Sequence, residues 1–105
     1  GDVPPLAAAR PPGPRAQRWA EILLAIVQLV AEQTGVAARL LATRADAEAF
    51  ARAVDEGGLA AADELPAMTT WRRGVIGEAW RGWLTGARVL VGDLTAPRGI
   101  WLAPR

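Results

Sequence analysis

With 105 residues the chain has room for one small domain, in which each buried large side chain carries a sizeable share of the core. It contains no His, Cys, Ser, Tyr, Lys or Asn. That excludes Ser-His-Asp and Cys-His catalysis, a Cys/His zinc site, a lysine Schiff base and a histidine general base, and leaves only carboxylates, Thr and Arg for chemistry. The formal net charge is +1 and all 12 cations are Arg, which suits planar bidentate contact with phosphate or carboxylate; a GC-rich codon bias toward Ala, Arg, Gly and Pro accounts for the same composition.

In chain order, residues 1–14 hold five of the eight prolines and no apolar periodicity, so they read as an extended linker, a spacer before the folded domain at 15–105. Opening on Gly1 with its one methionine at Met68, the sequence reads as a piece of a longer protein. It shows no export-signal pattern, and the expected location is cytoplasmic.

The helical period predicts a first helix from Arg15 to Gln33. Gln17, Arg18, Glu21, Ala25, Gln28 and Glu32 share one narrow strip, and Trp19, Ile22, Leu23, Ile26, Val27, Leu29 and Val30 fill the rest of the circumference. Such a helix is a core element, stopped by Gly35. Its apolar run, cut by Gln28, is well short of the roughly 20 residues of a bilayer crossing, so no membrane contact is expected.

Val36–Ala42 should turn the chain, with Leu40 and Leu41 as core anchors. Thr43 with Asp46 three residues on has the form of an N-cap, and Ala47, Phe50, Ala51 and Val54 predict a second helix over 44–55, ended by Gly57 and Gly58. Leu59–Met68 is expected to be a loop with one helical turn at Ala60–Glu64, its acids Asp55, Glu56, Asp63 and Glu64 solvated. A third helix is predicted over Trp71–Thr85. Trp71, Val75, Ile76, Ala79, Trp80, Trp83 and Leu84 take one side, and Gly74, Gly77, Glu78, Arg81 and Thr85 the other. The β-prone runs Arg88–Leu94 and Ile100–Leu102 predict a small hairpin. The fold class is therefore mostly α, a small helical bundle with a short C-terminal β-hairpin-like tail.

Charge is unevenly placed, since residues 66–105 carry six Arg against two acids and residues 43–65 two Arg against six acids. In the basic part, Arg73 and Arg81 flank Gly74 and Gly77. Each helix-interior glycine costs about 1 kcal/mol relative to Ala, so the pair implies close approach of another backbone: a phosphodiester held by the arginines, or a neighbouring helix or the tail. Arg88 and Arg98 extend this surface. Arg72 falls on the apolar side, where a guanidinium needs a partner; a structural ion pair with Asp63 or Glu64 is expected, phosphate contact being the other option. Trp19, Trp71, Trp80 and Trp83 read as core and Trp101 as open.

The segments GVAARLLATRADAEAFA and TWRRGVIGEAWRGWLTG, separated by an acidic loop, resemble the C-terminal helical domain, of the HRDC type, of bacterial ribonuclease D. Over roughly residues 18–86 the resemblance rests on the LLA-x-R-x-D segment and on the Trp-Arg-Arg and Gly-Glu pairs of the later helix. The chain departs from it at Thr70, where that family has Gly, and at Gly74, where it has Glu. The resemblance implies a non-catalytic accessory module of a 3′ to 5′ exoribonuclease that trims structured RNA such as tRNA precursors. Such enzymes carry four carboxylates and two divalent metals in a separate catalytic domain, so no cofactor is expected in this one. Asp46 and Glu48 have the D-x-E spacing of that family's first metal motif, yet sit on an amphipathic helix, and a metal role is not expected. The implied partners are RNA and the parent's catalytic domain. A structural module docking on that domain, or the HRDC domain of a DNA helicase, is the alternative.

Overall fold

A computed structural model describes residues 13–65, 68–96 and 99–105. Residues 1–12 of the expected linker and Arg98 lie outside the described residues. Helix α1 spans Pro14–Thr34, with Pro14 at its first position, where a missing N–H costs nothing. Gly35 closes it in the left-handed region (φ 76°) and donates its N–H to the Ala31 carbonyl at 2.9 Å. Ala16, Ala20, Leu23, Ile26, Val27, Leu29 and Val30 are buried, while Gln17, Arg18, Glu21, Gln28 and Glu32 are exposed, five of the six residues of the predicted strip, with Ala25 half-buried. No helix among the described residues is long and apolar enough to cross a membrane.

The turn after α1 contains a one-turn helix, α2 (Ala38–Leu41). Leu41 is fully buried, but Leu40, expected to be a second anchor, is 57% exposed. Consecutive residues of a helical turn point about 100° apart, and in this turn the inward direction is taken by Leu41.

Helix α3 spans Arg44–Asp63 and starts in a capping box. The Asp46 N–H donates to Thr43 Oγ1 at 3.2 Å and the Thr43 N–H to Asp46 Oδ2 at 2.9 Å. Ala47, Phe50 and Ala51 are buried and Val54 packs on the core. The glycine pair interrupts the helix where predicted, and the expected helical turn over Ala60–Glu64 follows as a resumed segment that packs on the core. Gly58 breaks it locally (φ 83°, ψ 179°), after which the chain resumes helical form as far as Asp63 and buries Ala62. Arg15 Nε donates to Asp55 Oδ1 (2.8 Å) and Arg44 Nη1 to Glu21 Oε2 (2.9 Å), tying α1 to α3. The hydrogen bond and charge of Glu21 raise the Arg44 pKa above its ordinary value.

The third predicted helix is two segments. Arg73–Gly77 forms a π-helical turn and Glu78–Leu84 forms α4. A π turn carries an extra residue, so what precedes it falls out of phase with the 3.6 period that follows. Ile76, Ala79 and Trp80 are accordingly buried, whereas Trp71, expected in the core, is 58% exposed. Trp80 is fully buried. Its indole N–H donates to the Leu23 carbonyl of α1 at 3.0 Å, and its ring lies 4.9 Å from that of Phe50 on α3, tilted 59°. Trp19 and Trp83 are half-buried against the same core.

Strands β1 (Arg88–Gly92) and β2 (Ile100–Pro104) pair antiparallel, with Leu90 opposite Leu102 and Val91 opposite Trp101. Leu90 and Leu102 pack on the helices, and the alternation puts Val89, Val91 and Trp101 on the outer face. The connecting turn is held by Asp93, whose Oδ1 accepts from the Thr95 hydroxyl (2.7 Å) and amide (2.8 Å). These bonds lower its pKa below the ordinary value.

Gly58→Ala should lower the unfolding free energy by about 1–3 kcal/mol, because its φ and ψ belong to a region that is essentially glycine's alone. Gly74→Ala should raise it by about 0.5–1 kcal/mol, since a Cβ there meets nothing within 4 Å and φ is not positive. Urea denaturation of the two variants reads both signs. For Asp93, a carboxyl depressed in the folded state stabilises above its unfolded pKa and loses that contribution as pH falls through the folded one. The hairpin turn should therefore loosen only below about pH 4, seen as faster exchange of the Thr95 amide.

Candidate nucleic-acid interface

The five residues expected to make one basic surface, Arg73, Gly74, Gly77, Arg81 and Arg88, fall into two groups on either side of the π turn. On the first side, Arg81 Nη1 donates to both oxygens of Asp63, at 2.7 and 2.8 Å, and Arg73 Nη2 lies 3.8 Å from the same carboxylate. One anion thus stands between two cations. The Arg81 side chain is 30% exposed and that of Arg73 50%, so Arg81 is committed to the pair and Arg73 keeps an open flank. Gly77 is buried, and a Cβ on it would fall 3.0 Å from Met68 Sδ and 3.5 Å from Arg73 Cγ. Its small size serves internal packing, not an approaching backbone.

On the second side, Gly74 and Arg88 line the same cleft, of about 300 Å³, where the end of α1 meets the π turn and β2. Its apolar part is Leu29, Val30, Val75, Ala79 and Leu102, and its exposed polar residues are Gln33, Thr34, Glu78 and Arg88. Arg88 lies across α4 at Gly82, where a Cβ would come within 3.2 Å of Arg88 Cδ. Gly82 is a positional requirement that the sequence reading missed, although a third glycine in the same helical segment was there to raise the question. Arg105 stands beside Arg88 at the base of the hairpin, next to Pro104, the cross-strand partner of Arg88. Its Nη1 approaches the Gly86 carbonyl at 3.4 Å. Among the described residues, Arg18, Arg39, Arg88 and Arg105 are the arginines with no carboxylate partner.

Arg72 does make an ion pair, but its Nη1 lies 3.7 Å from Asp46 Oδ2, not from Asp63 or Glu64. Both side chains are about one quarter exposed (27% and 26%). The phase shift at the π turn carries Arg72 toward the start of α3, where Asp46 already caps the helix. Asp55 and Asp63, expected to be solvated, are held by Arg15 and Arg81. Asp46 and Glu48 face guanidinium groups, those of Arg72 and Arg44, and no cluster of acids suited to a metal ion occurs among the described residues. Trp101, read as open, is 43% exposed on the outer face of the hairpin.

The chain matches no family model, no curated protein and no solved structure. Asp63→Asn should cost about 1 kcal/mol or less, as partly exposed ion pairs do, while Glu64→Gln on the exposed neighbour should stay within about 0.5 kcal/mol. Paired urea melts test this, and equal melts would mean that Asp63 holds nothing.

Proposed function

We propose that the chain is a non-catalytic nucleic-acid-positioning module of a ribonuclease D-like 3′ to 5′ exoribonuclease, working in the cytoplasm on structured RNA such as tRNA precursors. The metal chemistry belongs to the parent's catalytic domain. The observation that carries this reading is Arg88: an exposed arginine with no carboxylate partner among the described residues, lying across Gly82 and lining one cleft together with the open Gly74. Arg105 adds charge nearby, and phosphodiesters are held by such groups without sequence preference. Arg81 is not part of the contact, because Asp63 neutralises it.

Binding of single-stranded RNA should weaken with salt at a slope of about −0.7 per phosphate neutralised. Anisotropy titrations of Arg88→Gln should show that slope reduced by about 0.7, and Arg81→Gln should leave it unchanged. Salt-independent or absent binding counts against the proposal. A second reading, docking on the parent's catalytic domain, is favoured by the outer hairpin face, where Val89 and Trp101 are 37% and 43% exposed beside Val91. Binding to the isolated catalytic domain without binding to RNA would select it.

A further inference from the structure

The cleft at Arg88 is one end of a longer seam. The π turn and α4 run along α1 in the opposite direction. Gly74, Val75 and Ala79 lie beside Leu29, Val30 and Gln33; Trp80 bonds Leu23; and Trp83 shares a second groove with Trp19 and Ile22. On α1, Arg15, Ile22, Leu29 and Gln33 follow one another at seven, seven and four residues, so both openings lie on one stripe of the helix. From Arg15 to Gln33 the stripe is about 27 Å long.

The second groove, of about 550 Å³, is lined by Arg15, Arg18, Trp19, Glu21, Ile22 and Trp83. Its two indoles are half-buried, each packed on the core with part of the ring left in the groove. The Arg15 guanidinium lies 4.8 Å over the Trp19 ring and is fixed there by its bond to Asp55, yet the side chain is 66% exposed. An exposed guanidinium over an aromatic ring offers planar surface on which a nucleobase stacks. The charges in the groove are Arg15, answered by Asp55; Glu21, answered by Arg44 at 2.9 Å; and Arg18, exposed and answered by none among the described residues. What remains is flat π surface plus one uncompensated cation.

We propose that this groove is a base-stacking subsite for single-stranded RNA, with a nucleobase against Trp19, Arg15 and Trp83 and its phosphate at Arg18. The proposal rests on the RNA reading above and adds a contact at the far end of the same seam. Charge complementarity selects the occupant: an apolar helix leaves Arg18 unanswered, and an acidic peptide leaves the aromatic planes unused.

The test titrates the full chain with oligouridylate and follows the tryptophan indole N–H resonances. Those of Trp19 and Trp83 should move, while that of Trp80, buried and bonded to Leu23, should not. Trp19→Leu should weaken binding about tenfold. Arg18→Gln, at an exposed position, should reduce the salt slope by about 0.7. If the Trp19 and Trp83 signals stay in place while binding still depends on Arg88, the groove is overturned and the proposed function stands. If they move and Arg88→Gln changes nothing, the Arg88 reading falls and the groove stands. Absence of RNA binding overturns both, and dimerisation that Trp19→Leu abolishes overturns the groove in favour of a second copy of the chain.

Discussion

The indole of Trp80 holds this small domain together. A tryptophan is worth burying completely only if its N–H finds an acceptor, and here the acceptor is a main-chain carbonyl of the central helix. With Phe50 tilted against the ring, one side chain sets the spacing of three helices. No buried side-chain polar atom is left without a partner among the described residues, so the core has no other polar demand to meet. In so small a domain that concentration matters, because Trp80 and Phe50 are the aromatic rings at full burial among the described residues, and they meet at one point.

Much of the fold was legible because much of it is local chemistry. Gly35 as a left-handed cap, Pro14 at the first helical position and the Thr43–Asp46 box each depend on atoms a few residues apart, and the polar strip of α1 follows from period alone. What escaped depends on structure that a period assumes away. The π turn shifts the register of everything before it, so Trp71 goes to water and Arg72 finds Asp46. The break at Gly58 and the helical turn after it were visible from the glycine pair and the residues that follow, but the packing of that turn on the core through Ala62 was not.

The candidate site was legible in its ingredients and not in its grouping. Arg73, Arg81, Gly74 and Gly77 share a side in an ideal helix, and only the extra residue in the π turn and the return of α3 separate them. Asp63 was assigned to a solvated loop because nothing local places it; its partners lie 10 and 18 residues further on. The two glycines differ for the same reason, Gly77 meeting the Met68 sulfur and Gly74 meeting open space. The tryptophans divide likewise: periodicity reports which side of a helix faces inward, but not how far a ring at the edge of that side is covered.

Asp63 holding Arg81, Arg88 left open and Arg18 uncompensated together form a partition of charge made only of guanidinium and carboxylate groups. His, Cys, Tyr and Lys, the side-chain types whose ordinary titration falls between about pH 6 and pH 11, are missing from the chain. The molecule therefore has no side-chain proton switch near neutrality. Its surface potential answers to ionic strength, or to a backbone movement that parts a cation from its anion, and acidification within the physiological range leaves it as it is.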